Sequence, residues 1–117
     1  MFQSSVNQPS IFKLTTHKGI EYLDANNIIR VEAMSNYSKI FFVDGKTLLV
    51  SKVLHWFQDN LSDKQFIRIS RGQVINKNYI QSALFKDDLK LVLNTGESFA
   101  ISRRKKKAVL KSFENAA

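Results

Sequence analysis

The order of apolar and polar residues breaks the chain into many short strands and two helices. Residues 11–16 and 20–23 are two extended runs around His17-Lys18-Gly19, a hairpin pattern in which Gly19 supplies the permissive backbone. Asp24 is placed to cap a single turn over Ala25-Asn26-Asn27. Residues 28–34 form the next strand, where Ile29 and Val31 alternate with Arg30 and Glu32 and predict one apolar and one wet face. Ser35-Asn36-Tyr37 is a polar loop. Residues 40–43 are almost continuously apolar, as in a strand covered on both faces. Asp44-Gly45 is a two-residue hairpin signal, and Leu48, Leu49 and Val50 carry the return strand.

The period changes at Ser51. Val53, Leu54, Phe57 and Leu61 recur at helical spacing, Trp56 widens the stripe, and Ser51 is a suitable N-cap. Asn60 and Ser62-Asp63 end this helix, which is expected to lie over one face of a sheet. Residues 66–80 return to strand types, rich in Ile, Val and Phe, with a bend at Gly72. Arg68, Arg71 and Lys77 interrupt the apolar residues, and no acid falls between Lys64 and Lys86. Two more strands, 79–85 and 89–93, flank Lys86-Asp87-Asp88. A turn at 94–97 leads to a last strand at 98–102, and residues 103–113 read as a basic helix with Val109, Leu110 and Phe113 on its apolar side. The expected fold is mainly β: nine or ten short strands, a central helix packed on the sheets and a short C-terminal basic helix. There is no strand–helix alternation of the doubly wound type.

Length and composition narrow the class. A chain of 117 residues is one domain by size and can bury roughly 65% of the surface its unfolded chain exposes. Residues 1–10 are polar and read as a leader or linker remnant, leaving 11–117 as the domain. With no cysteine there is neither a disulfide nor a Cys-based zinc site, which suits a cytoplasmic setting. No apolar run approaches the roughly 20 residues needed to cross a bilayer, and the N-terminus lacks a signal-peptide pattern. The net charge is +8. Arg103, Arg104, Lys105, Lys106, Lys107 and Lys111 cluster near the C-terminus with Glu114 as the only acid there. Such clustering favours a polyanion, nucleic acid before an acidic surface.

The residues offer little for catalysis. His17 and His55 sit in unlike settings, a turn and a helix, and neither belongs to a metal-ligand spacing. Asp87-Asp88 reads as a solvated turn, and no glycine-rich phosphate loop is present. An enzyme is therefore not expected, nor is a cofactor or metal. Three polar and basic stretches at strand ends offer binding chemistry instead: Asn36-Tyr37-Ser38-Lys39, Ser70-Arg71-Gly72-Gln73 and Ser102-Arg103-Arg104-Lys105. Arginine donates two parallel hydrogen bonds to the O6 and N7 edge of guanine. Lysine and hydroxyl groups suit phosphate oxygens, which fix register without reading sequence. Spacing alone does not bring the three stretches together.

Several separated motifs are similar to those of one family. Ile28-Ile29-Arg30-Val31-Glu32-Ala33 with Asn36-Tyr37, the helix from Ser51, the run Phe66-Ile67-Arg68-Ile69-Ser70-Arg71-Gly72-Gln73-Val74-Ile75-Asn76 and a closing Ser102-Arg103 follow in the order found in the LytTR DNA-binding domain. That domain is the output module of many bacterial response regulators. The resemblance spans residues 11–110. It implies an elongated ten-stranded β fold and loops that enter successive major grooves, usually as two copies on a direct repeat. It places the first contact loop on Ser38 and Lys39, the second on Ser70 and Arg71, and the third on Arg103. Arg104, Lys106 and Lys107 are then placed for phosphates, Arg71 and Arg103 for bases, and Lys39 for a phosphate with reach toward a base. Many members carry His at the position of Ser70 and Ser at that of Gly72, so the target sequence is expected to differ. Gly72 offers a close backbone approach to phosphate in exchange. For the partner the resemblance leaves two readings open: an output domain served by a receiver domain or sensor protein, or a stand-alone regulator controlled by other means.

Two other readings remain open from sequence. A single-strand or RNA-binding β module would need exposed aromatics for stacking, with Tyr22, Tyr37 and Tyr79 available. A protein-interaction domain would turn its basic helix toward an acidic partner or membrane.

Overall fold

The computed structural model describes residues 10–114. The expected leader, apart from Ser10, lies outside them. Ten strands form three antiparallel sheets: β1 (Ile11–Thr16), β2 (Gly19–Asp24), β3 (Ile28–Met34), β4 (Tyr37–Phe42), β5 (Thr47–Val50), β6 (Phe66–Arg68), β7 (Gln73–Asn76), β8 (Ile80–Leu84), β9 (Lys90–Leu93) and β10 (Ser98–Ala100). Two helices, α1 (Leu54–Asn60) and α2 (Lys106–Glu114), complete the fold. The body measures 45 × 40 × 24 Å.

The central sheet has the order β5-β4-β3-β7-β6, while β1-β2 is a separate hairpin and β8, β9 and β10 form a third sheet. Apolar side chains leave the central sheet in both directions. On one side Val31, Ile40 and Val74 meet Leu14 of the hairpin, Leu54 and Phe57 of α1, and Leu61 just after it. On the other, Ile67, Ile69 and Ile75 meet Leu91 and Leu93 of β9, Ile101, and Val109 of α2. The adjacent apolar pairs of β6 and β7 follow from this two-sided cover: Phe66 and Val74 face one core, Ile67 and Ile75 the other. Burying each such side chain stabilises the fold by about 1.5–3 kcal/mol relative to leaving it in water.

Turn chemistry is local and largely as the sequence predicts. Gly19 has φ +129 in the β1–β2 turn, and Gly45 has φ +90 in a β4–β5 turn that is closed by Phe42 N–H to the Lys46 carbonyl, wider than two residues. Asp24 accepts from Asn26 N at 3.0 Å and caps a 3-10 turn, Ala25–Asn27. Asn76 does the same for the 3-10 turn Lys77–Tyr79, and its buried side-chain amide donates to the Ile28 carbonyl at 2.8 Å.

Three expectations are corrected. Ser51 does not cap α1: the helix starts at Leu54, its N-cap is the extended Val53, and no side chain caps it. Segment 51–53 is held by the Ser38 hydroxyl, which donates to the Lys52 carbonyl at 2.6 Å and prolongs the β5 path before the helix begins. The basic helix starts at Lys106, because residues 103–105 turn first, with Lys105 N–H on the Ser102 carbonyl.

The third correction concerns β3. A register shift between Ile28 and Arg30 breaks the alternation, so Ile29 and Val31 face different cores. Arg30 is not wet; it is 6% exposed. Its guanidinium lies 3.6 Å from the Phe41 ring centre and 4.6 Å from that of Phe99. It donates to Glu32 Oε1 at 2.9 Å, Gln73 Oε1 at 3.1 Å and Glu97 Oε2 at 3.3 Å. Glu97 sits in the β9–β10 turn, so this arginine ties the third sheet to the central one.

Candidate nucleic-acid interface

The three polar stretches meet at one end of the central sheet, and backbone hydrogen bonds show how. Val50 pairs with Ser38 and Ser38 with Ala33, and Ala33 N–H donates to the Gly72 carbonyl at 2.9 Å. These four residues form a row across the end of the sheet. Beyond it project the tight Ser35-Asn36 turn and the Ser70-Arg71-Gly72 bend. Ser102 N–H donates to the Ile69 carbonyl at 2.8 Å, which fastens the start of the third stretch to the base of the second. Ser35 has φ +61, the one left-handed non-glycine residue among those described. The stretches that meet here, 33–39, 50–53, 68–73 and 101–107, contain no acid, while Glu32 lies one position in from the row and pairs with Lys39.

The middle bend is the most constrained part. Arg68, on β6, donates Nε to the Ser70 carbonyl at 3.0 Å and Nη2 to the Arg71 carbonyl at 2.9 Å. Its Nη1 reaches Gln58 of α1 at 3.2 Å. The Ser70 hydroxyl accepts from Gly72 N–H at 3.2 Å. The backbone around Arg71 is therefore held from two sides while the Arg71 side chain stands exposed. Gly72 has no positive φ, and a Cβ built there would meet nothing within 4 Å, so neither backbone conformation nor intramolecular packing demands glycine at this position.

Arg103, Arg104, Lys106 and Lys107 are exposed as well. Among the described residues their side chains, like that of Arg71, make no hydrogen bond or ion pair. Lys39 is half-buried, with its ammonium 5.3 Å from the Phe41 ring and Glu32 opposite it on β3. Burial opposes the charge of Glu32, but the Gln73 amide and the charges of Arg30 and Lys39 outweigh it and hold its pKa below the ordinary value.

Ser38 is the exception in the expected set. It is fully buried and its hydroxyl is spent on Lys52, so it shapes this end without facing outward. Sequence reasoning left out two basic residues found here. Arg68 braces the bend. Lys52 lies at the exit of β5, its ammonium 5.3 Å from the Trp56 ring. The alternation of β6 hints that Arg68 points away from Ile67, but nothing in the sequence says that it turns toward the carbonyls of Ser70 and Arg71.

The aromatics do not build a stacking platform. Tyr37 lies at the basic end, whereas the Tyr79 hydroxyl donates to the Asn26 carbonyl at the other end of β3, and Tyr22 is on the outer hairpin. His55 and Asp59 form an exposed pair at 3.3 Å along α1.

Comparison with known proteins bears on this geometry. No curated protein matches the chain. Among solved structures, a LytTr DNA-binding domain from a Bacillus cereus methyl-accepting/DNA response regulator shares the fold with a TM-score of 0.74 at 20% identity, over 91% of this chain and 98% of that one. The family model of the LytTr DNA-binding domain matches residues 18–114. With that match over most of its length, and with the ten-stranded fold and basic end described above, the chain belongs to the LytTR family of DNA-binding domains.

Proposed function

We propose that this domain reads duplex DNA sequence-specifically, as the output unit of a transcription regulator, by placing its basic end across successive major grooves. The supporting observation is the pair of backbone hydrogen bonds from Ala33 to Gly72 and from Ser102 to Ile69, which bring Arg71 and Arg103 to one end with guanidiniums that make no hydrogen bond or ion pair among the described residues. Arg71 and Arg103 read bases, because a guanidinium on a braced backbone can meet guanine bidentately. Ser70, Lys39, Arg104, Lys106 and Lys107 take phosphates and fix register. Ser38 supports this end from inside. Residues 11–117 act as one unit, and two copies bind a direct repeat. The Bacillus cereus neighbour is named as part of a response regulator, and this reading accordingly includes a receiver or sensor partner and a cytoplasmic two-component setting. No helix among the described residues is long and apolar enough to cross a membrane.

Selection of bound duplexes from a random library, followed by footprinting at several salt concentrations, tests this reading. A defined consensus with a repeat spacing is expected, and affinity falls steeply with salt as phosphate counterions are released. Equal binding to selected and random duplexes would refute it. Stronger binding to single strands would favour the alternative module.

A further inference from the structure

We propose that the groove between α1, β6 and α2 is a second binding site, and that its ligand is an acidic peptide segment carrying apolar side chains. The groove holds about 840 Å³, within the roughly 300–1,000 Å³ of sites that enclose ligand groups. Leu61, Phe66, Ile67 and Val74 form its floor. β6 is the outer strand of the central sheet, α1 packs on one of its sides and α2 on the other, and the floor follows that edge between them. Three of the floor residues keep 5–9% exposure, whereas Phe57, Ile69 and Ile75 around them keep none. The floor is thus made of core side chains whose edges line the groove.

The rim is cationic. Lys64, Lys77, Lys105, Lys111 and Arg68 surround the groove, with Asp63 as the single carboxylate. Arg68 is engaged by Gln58 and the recognition bend, and Lys77 Nζ donates to the Asp63 carbonyl at 3.2 Å. Lys64, Lys105 and Lys111 have no side-chain partner among the described residues. Several like charges around one concavity concentrate counter-charge there. A DNA backbone supplies that charge but no apolar group for the floor. A peptide with carboxylates beside Leu or Phe matches rim and floor together. Because Arg68 borders this groove and also braces Arg71, the occupant and the recognition bend meet at one side chain.

The test uses fluorescence anisotropy with a labelled peptide of about twelve residues in which Asp and Glu alternate with Leu and Phe. Two controls replace its acids by Lys or its apolar residues by Ser. The amphipathic acidic peptide is expected to bind at least about tenfold more tightly than either control. Ala108→Trp, on the α2 wall, fills the groove, and Lys64→Gln with Lys111→Gln removes two rim charges. Each is expected to weaken the peptide at least about tenfold while duplex affinity changes by less than about threefold. The Lys pair is at the surface, so its result stands even if Ala108→Trp fails to fold. Amide shift mapping is expected to report Leu61, Phe66 and Ala108. Equal binding of the Ser control, no loss in the Lys64→Gln, Lys111→Gln variant, or shifts confined to Arg71, Arg103 and Arg104 would overturn the proposal.

Discussion

Arg30 and Arg71 carry the same charge and are used in opposite ways. Arg30 is enclosed between two phenylalanine rings and donates to three side chains from three strands or turns. Its Nε is the one buried side-chain polar atom without a partner among those described. Arg71 is exposed, its backbone is held by Arg68, and its guanidinium makes no hydrogen bond or ion pair among the described residues. In the first case desolvation is offset by carboxylates and aromatic faces, and the result is a joint between two sheets. In the second the backbone is ordered while the side chain keeps its hydration; in the DNA-binding role proposed for Arg71, that order would lower the entropic cost of binding. Motif position does not separate these roles; enclosure does.

The largest effect should come from the enclosed arginine. Arg30→Ala leaves Glu32, Gln73 and Glu97 facing an emptied site between Phe41 and Phe99. Arg30 is buried but Glu32 and Glu97 are 31% and 48% exposed, so the cost is expected at the lower end of that for breaking a buried pair, about 3 kcal/mol. Denaturant unfolding checks this, and loss of DNA binding should track loss of folded protein. Arg30→Lys should recover little, since an ammonium lacks the planar fork.

Arg71→Ala and Arg103→Ala should behave in the reverse manner. Each is expected to cost about 1–3 kcal/mol of specific duplex affinity and to relax discrimination at one position. Stability should stay within about 0.5 kcal/mol of the parent. A large fall in stability for Arg71→Ala would erase the contrast with Arg30.

Arg68 lies between the two. Its hydrogen bonds to the Ser70 and Arg71 carbonyls order the bend, so Arg68→Ala should weaken specific binding by about 1–2 kcal/mol without touching DNA. Amide exchange should speed up around residues 70–72 in the free protein.

Glu32 gives a smaller, pH-dependent signature. Its folded pKa is lowered, so the stability it contributes is present above its ordinary value of 4.5 and is lost as pH falls through the lowered value. As pH falls below about 4.5 the parent should lose more stability than Glu32→Gln, as measured by denaturation at each pH.

The smallest effect is expected at Gly72. With no positive φ and open space around a new Cβ, Gly72→Ala should leave stability within about 0.5 kcal/mol. A fall in DNA affinity at that unchanged stability is the expected mark of a close backbone approach to phosphate.

Strand and turn positions follow from short-range physics, and most were legible in the chain. Gly19 and Gly45 mark turns because they tolerate positive φ, and Asp24 caps its turn through a side chain two residues from its target. The two cores served by β6 and β7 show in the adjacent apolar pairs Phe66-Ile67 and Val74-Ile75. The family motifs also named Arg71 and Arg103. Other features rest on partners far along the chain. Ser38 has the composition of a contact residue, yet pairing with Ala33 and Val50 turns its hydroxyl inward to Lys52. Arg30 sits where alternation predicts water, yet a bulge and the arrival of Glu97, 67 residues later, enclose it. The convergence of the three basic stretches depends on Ala33 meeting Gly72 and Ile69 meeting Ser102. The sequence by itself determined which residues could turn, extend or carry charge, because those properties belong to single residues and near neighbours. Only the tertiary structure decided which charges would be enclosed and which left free, because enclosure is set by segments that meet across the fold.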